Sequence, residues 1–442
     1  MSPTEISAIR ASASVGNGVG KDTHPLLEHL FRHQVGRVVG HLARVLGPAR
    51  LDLAEESMQE AMLRALQVWP YQGIPENPAA WLFRVAHNAA IDSLRRSRFL
   101  EQNSAIVLAE LTRATSIVSG DPGFEEQLRD DELRMIFMCC HPEIPRDARV
   151  ALSLKTVGGF SVREIAGAFL ADDAAVAQRL VRAKRQLRDR HVTLDLPGTA
   201  ELDERLDSAL ETIYFIFNEG YAAHEGDDLI RRDLCFEALR LGRLLAASSL
   251  ATPRVHALVA VMALQAARLS ARIDEAGDLI LLEDQDRSRW DRRLIALGFH
   301  HFDLSIAGDQ VSEYHVQAAI AATYTSAGDL RSVDWPTILK LYDQLLTISG
   351  ASPVVALNRA VAVAKVHGAA EALAEIEALR GNPQLRDYYL LLAVRGHLLE
   401  ELGRWKEAAA CWRAALECRC SEPERRFLRR KLASADELEA GV

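Results

Sequence analysis

Strand-forming chemistry is scarce in this chain. Aromatic residues make up 6% of its 442 positions, and no alternation of apolar and polar residues persists for more than a few positions. Ala, Leu, Arg and Glu dominate instead, a mixture that favours helices. Cysteine is sparse as well. Six cysteines, with Cys139 and Cys140 adjacent, do not make a disulfide framework. Cys411, Cys418 and Cys420 lack a paired C-x-x-C and a nearby His pair, so they read as buried reduced thiols and not as a metal site. Long apolar runs are missing too: the stretch at 255–267 is too short to cross a bilayer and is closed off by Arg254 and Arg268. The first eighteen residues contain no apolar h-region of a secretory signal. No Gly-rich phosphate loop appears. These absences predict an all-α, cytoplasmic protein that uses neither metal nor cofactor and meets no membrane.

What is present is an uneven charge. The chain carries −9 overall, which argues against indiscriminate nucleic-acid binding. Residues 1–192 balance at +1 and residues 193–442 at −10. Turn-rich stretches divide the chain further. Residues 1–23 are Ser/Ala/Gly-rich and predicted to be disordered. Residues 24–100 form a helical module broken by the loop 69–78, 101–125 a linker ending in SGDPGF, and 126–192 a second helical module. Residues 193–442 form a long Ala/Leu-rich helical domain. In that domain Gly368 and Gly403 are 35 residues apart, close to the tetratricopeptide period of about 34. Gly396, Ala408 and Ala415 fall at its small positions, and Trp405 and Trp412 at its bulky ones.

Three helices carry faces that a simple core does not explain. On 53–69, Leu53, Ala54, Met58, Ala61, Met62, Ala65, Val68 and Trp69 make an apolar face. The opposite side holds Glu56, Gln59, Glu60 and Gln67 around a lone Leu63. That is either an exposed leucine or a docking face with one apolar anchor. On 78–99, Leu82, Ala86, Ala89, Ala90 and Ser93 point inward. Trp81, Arg84, Asn88, Asp92 and Arg95 line the other side, flanked by Arg96 and Arg98. Rings stack on bases, amides read base edges and guanidinium groups neutralise phosphates, so this face suits melted nucleic acid; a solvated basic face with Trp81 packed inward is the plainer reading. The third element is a helix-turn-helix. Ser161 and Glu164 form a capping box, and the helix after the turn at 171–173 buries Val176, Leu180, Ala183 and Leu187. Gln178, Arg182 and Arg185 face away, with Arg179 and Arg188 at the edges, in the layout of a recognition helix.

In this order the elements resemble a bacterial RNA polymerase sigma factor of the extracytoplasmic-function type. LDLAEESMQEAMLRALQVWP resembles the region 2 helix that docks on the β′ clamp helices of core RNA polymerase. NPAAWLFRVAHNAAIDSLRRSRF resembles the helix that melts and reads the −10 element of promoter DNA. VGGFSVREIAGAFLADDAAVAQRLVRAKRQLR resembles the region 4 helix-turn-helix that reads −35 and meets the β flap. Ala175, Val176 and Ala177 stand where members often carry a Thr-Val pair followed by a basic residue, so no −35 preference carries over. FNEGYAA, RRDLCFEALRLGRLL, LLEDQDRSRWD, HVQAAIAA and SPVVALNRAVAVA resemble the subgroup with a tetratricopeptide-like extension. The resemblance implies that this extension controls the factor without a separate anti-sigma protein.

The expected function is therefore promoter recognition and transcription initiation with core polymerase, regulated by the acidic rear domain. That domain either masks the basic helices or contacts polymerase. The preferred regulatory contact is Glu283, Asp284, Asp286, Arg287, Arg289 and Trp290; its plainer reading is a solvated turn and helix start. The alternative is a helix-turn-helix regulator with a ligand-sensing helical domain, which binds duplex DNA without polymerase as a dimer. An enzyme would need more than His300, His301 and the carboxylates of 283–286, since no nucleophile, base and orienter stand in register.

Overall fold

The computed structural model describes residues 23–97, 122–169, 171–198, 200–222 and 229–440. Among them stand eighteen α-helices and six short 3-10 turns, with no strand beyond two isolated bridges. The chain is all-α, as its composition predicts. None of these helices is long and apolar enough to cross a membrane. The predicted disorder of 1–23 falls outside the described residues except at Thr23, where a helix already begins.

The chain divides into two compact units, Met1–Thr212 and Ile213–Val442. The first contains α1 (Thr23–Leu46), α2 (Leu51–Gln72), α3 (Pro78–Ser97), α4 (Pro122–Cys139), α5 (Arg146–Thr156), α6 (Val162–Phe169) and α7 (Asp173–Asp189). The unit boundary falls within α8 (Leu202–Tyr221). Three expected boundaries shift. The loop predicted at 69–78 shrinks to 73–77, because α2 runs through Pro70, whose missing N–H removes only one bond from the last turn. Trp69 stays buried at 4% exposure, which anchors that turn. The linker predicted to 125 ends earlier, since Pro122 opens α4, and proline's fixed φ suits a first helical turn. The second module does not close at 192. Arg205 donates to the Phe137 carbonyl at 3.1 Å and the Ser208 hydroxyl to that of Cys140, which holds the start of α8 against α4.

The two modules of the first unit are also packed together, which patterning within each one does not reveal. Asp131 of α4, 2% exposed, receives His41 of α1 at 2.7 Å and Arg44 at 2.9 Å. A Cβ on Gly36 of α1 would stand 2.5 Å from the Val157 carbonyl oxygen, and one on Gly40 would stand 2.8 Å from that of Asp131. The absence of side chains at these two positions lets α1 lie flush on the second module.

The second unit continues with α9 (Arg232–Ala246), α10 (Pro253–Ala266), α11 (Arg292–Ser305), α12 (Glu313–Ser326), α13 (Trp335–Ile348), α14 (Pro353–His367), α15 (Ala369–Leu379), α16 (Tyr389–Glu401), α17 (Trp405–Leu416) and α18 (Glu422–Ala440). Gly368 (φ +96°) turns the chain between α14 and α15, and Gly403 (φ +72°) does so between α16 and α17, so the 35-residue offset is a repeat of helical hairpins. Ala408 and Ala415 are fully buried. A Cβ on Gly396 would stand 2.9 Å from the Trp412 ring, and Trp412 is 1% exposed. The small Gly396 and the bulky Trp412 therefore meet between α16 and α17. Trp405 is only half-buried.

Candidate nucleic-acid interface and docking face

On α2, Leu51, Ala54, Met58, Ala61, Ala65 and Trp69 recur at three- and four-residue steps and are all buried. That registration turns Glu56, Gln59 and Gln67 outward, and leaves Leu63 59% exposed among them. Glu60 is partly covered and accepts from Arg64 at 2.8 Å. The five residues of the predicted docking face thus share one side of one helix. Leu66, 38% exposed, extends its apolar part; hydropathy alone assigns such a leucine to a core, so the sequence offered no signal for it.

α3 is capped by Asn77, whose Oδ1 accepts the Ala80 N–H at 3.0 Å, a cap worth about 1 kcal/mol. Leu82, Phe83, Ala86, His87, Ala90 and Leu94 are buried. Arg84, Asn88, Asp92, Arg95 and Arg96 are exposed along the opposite side. Trp81 is half-buried, its ring edge-on to Trp69 at 5.3 Å between centroids. The inward packing weighed above is thus partly realised, while part of the ring remains open to solvent. Arg95 has Asp92 at 3.8 Å. Arg84 and Arg96 have no carboxylate within 4 Å among the described residues. Arg98 lies outside the described residues.

The helix-turn-helix forms as its capping box predicts. Ser161 N–H donates to Glu164 at 2.7 Å, and the Glu164 N–H to the Ser161 hydroxyl at 3.1 Å. Val176, Leu180, Ala183 and Leu187 are the buried stripe of α7. Gln178, Arg182 and Arg185 are exposed, with Val181, 66% exposed, among them. The polar pattern hid Val181, an exposed side chain whose methyl groups have the chemistry to meet thymine's methyl in a major groove. Two guanidinium groups are shared with acids: Arg185 with Asp189 at 3.2 Å, and Arg179 with Asp147 of α5 at 3.1 Å. Arg179, half-buried, serves the packing of α7 on α5 before it can serve DNA.

Lys184 is the residue that links these surfaces. It leaves α7 and reaches the first turns of α2, with Nζ 2.6 Å from Asp52 and 2.8 Å from Glu55. Glu55 is buried and also accepts from the Thr156 hydroxyl at 3.0 Å. The two carboxylates raise the Lys184 pKa against the opposing effect of burial. α2 and α7 are thus joined through one cation. A lysine at the edge of a basic face reads as a phosphate contact, so spacing gave no sign of this pairing.

The predicted regulatory element of the second unit does not form one exposed patch. Glu283 pairs loosely with Lys365 at 3.6 Å, and Asp284 is exposed. Asp286 caps a 3-10 turn through the Ser288 N–H, and Asp291 caps α11. Arg289 is exposed, but Arg287 is directed at carbonyls of Tyr324 and Ala327, and Trp290 is only 5% exposed. Trp290 is therefore unavailable as a surface anchor, because its ring packs beneath the arginines.

Comparison with known proteins follows the same division. Residues 30–99 match the sigma-70 region 2 family and residues 134–187 the sigma-70 region 4 family; residues 205–306 match DUF6596, a family of unknown function. An uncharacterized protein of Rhizobium meliloti (strain 1021) is 40% identical over 383 residues, 86% of this chain and 90% of that protein. The ECF RNA polymerase sigma factor SigK of Mycobacterium ulcerans (strain Agy99) is 27% identical over 164 residues, 36% of this chain and 82% of its own. No solved structure matches.

Proposed function

The chain belongs to one family with the Rhizobium meliloti protein and carries sigma-70 regions 2 and 4, and on that premise we propose that it is a promoter-specificity subunit of bacterial RNA polymerase, of the extracytoplasmic-function type. It works in the cytoplasm and has no chemistry of its own. The observation that carries the reading is the pair of outward faces on consecutive helices: an acidic-polar face around Leu63 on α2, and an arginine-amide-indole face on α3. The first suits core polymerase at the β′ clamp helices. The second suits an opened −10 strand, whose capture offsets an unstacking cost of a few kcal/mol per base step. Gln178, Arg182 and Arg185 then meet −35 duplex, next to the β flap.

Scale requires one further step. Promoter elements about 25 base pairs apart are separated by about 85 Å of duplex. A compact unit of this size is about 40 Å across. Regions 2 and 4 cannot reach both elements while Lys184 and Asp131 hold them together, so polymerase must receive them apart. The second unit acts as a built-in, tetratricopeptide-like regulator, which makes a separate anti-sigma protein unnecessary. The test is a gel shift of promoter fragments with this chain, with and without core polymerase. Binding that requires core enzyme supports the reading; tight duplex binding by the chain alone favours the dimeric helix-turn-helix regulator.

A further inference from the structure

In the second unit, side chains from four parts of the chain converge around Trp290. The guanidinium carbon of Arg287 lies 4.5 Å from the Trp290 ring centroid, and that of Arg268 lies 5.9 Å from it. That of Arg272 lies 3.9 Å over the ring of Tyr221. Arg268 donates to the Tyr221 hydroxyl, Arg272 to the Tyr221 carbonyl, and Arg287 to the carbonyls of Tyr324 at 3.1 Å and Ala327 at 2.6 Å. Among the described residues none of these three arginines has a carboxylate within 4 Å. All three are half-buried. Burial, and then the charge of Arg268, lower the Arg287 pKa, so the crowding of cations is itself unfavourable.

Two buried donors in this region have no acceptor among the described residues. The Trp290 indole N–H is one, on a side chain 5% exposed; Nη1 of Arg231 is the other. Arg231 adjoins the cluster through its backbone N–H, which donates to Gly220 beside Tyr221 at 2.8 Å. A buried donor left without an acceptor is unfavourable. Nearby phenols keep their protons: burial pushes Tyr342 up to about 12, and Tyr324 is raised for the same first reason. Among the described residues the cluster therefore gathers cations, an indole N–H and phenolic O–H groups, and the carboxylate that acts on Arg287, that of Asp329, lies beyond ion-pair distance.

We propose that Arg268, Arg272, Arg287 and Trp290 form a binding site for the phosphate group of a small molecule, whether free phosphate or a phosphate ester. A phosphate carries a charge of about −1.5 to −2 and three strong acceptor oxygens. It matches several guanidinium groups, where a monocarboxylate would neutralise only one. The Trp290 N–H gains its acceptor in the bound state. The site stands on the second unit alone, so its failure would leave the polymerase reading intact.

The test uses the full chain and follows thermal unfolding with inorganic phosphate, pyrophosphate or acetate at constant ionic strength, set against sodium chloride. A ligand held by the native state raises the transition in a saturable way. The expected result is a saturable rise with phosphate or pyrophosphate and none with acetate. A tighter response to free phosphate identifies the ion as the ligand, and a tighter response to pyrophosphate identifies a phosphorylated molecule. Arg268→Gln and Arg287→Gln should weaken the midpoint at least tenfold, while Arg289→Gln, on the exposed part of the same segment, should leave it unchanged. Trp290→Phe keeps an aromatic ring beneath the arginines while removing the N–H together with the rest of the indole, and should weaken the midpoint several-fold even if an arginine variant fails to fold. No rise beyond chloride, an equal rise with acetate, or an equal midpoint in Trp290→Phe would each overturn the proposal.

Discussion

Leu63 stands 59% exposed, so its side chain contributes little to stability and is free to contribute to association. Leu63→Ala should leave unfolding within about 0.5 kcal/mol of the parent and weaken binding to core polymerase about tenfold. Urea unfolding and a core-enzyme titration check the two halves; unchanged affinity contradicts the docking role. His301 makes a pH prediction. Burial first, and then His256, whose Nδ1 is 2.9 Å from its own, lower its pKa to about 4. In the unfolded chain an imidazole titrates at about 6.5, so below that pH the unfolded state binds the extra proton. The histidine's contribution is complete above about 6.5 and is lost as pH falls towards 4. The urea midpoint of the second unit should therefore drop less between pH 7 and 5 in His301→Asn than in the parent. Equal drops would contradict it. At this scale the sequence read well wherever one helix decides exposure. Arg84, Asn88, Arg182 and Arg185 stand outward, as their wheels predict. It failed for Arg179 and Trp290 and was silent on Lys184, where partners from other elements decide what the side chain meets.

The elements tell the same story with different causes. The buried stripe of α7 and the capping box of α6 were legible because both are local, set by three- and four-residue spacing and by one side chain reaching three residues along. The run of α2 through Pro70 and the start of α4 at Pro122 were not, because proline marks a turn and a helix end equally well. Packing between α2 and α7 depends on Lys184, and Lys184→Met would leave buried Glu55 with Thr156 as its remaining described partner. A half-broken, partly exposed pair of this kind should cost about 2 kcal/mol. Hydrogen exchange followed by mass spectrometry checks it, with faster exchange in α2 and α7 expected in the variant. Unchanged protection would show that the tie does not hold the two modules together. On α7, Arg182→Ala should cost about 1–3 kcal/mol at one promoter position, seen as relaxed base preference at −35 in a binding selection; uniform weakening across all sequences would instead make Arg182 a phosphate contact.

At the scale of the whole molecule, the division after Thr212 sets how regulation can be tested. A cut near 195 removes Arg205 and Ser208, which brace α4 through the Phe137 and Cys140 carbonyls, and so confuses lost regulation with lost folding. A chain ending at Tyr221 keeps α8 entire. Its promoter-dependent transcript level should differ from that of the full chain if the second unit regulates the first; equal levels under all conditions would remove that role. The Ala/Leu-rich composition and the 35-residue offset made the rear domain's helical character readable, but the packing of region 2 on region 4 was not, because it rests on residues about 90 to 130 positions apart. The most direct measurement is transcription from genomic DNA by core polymerase alone and with this chain added, with start sites mapped. The account predicts a set of defined starts that appear only with the chain and diminish in Leu63→Ala. Starts that are unchanged by adding the chain would contradict it.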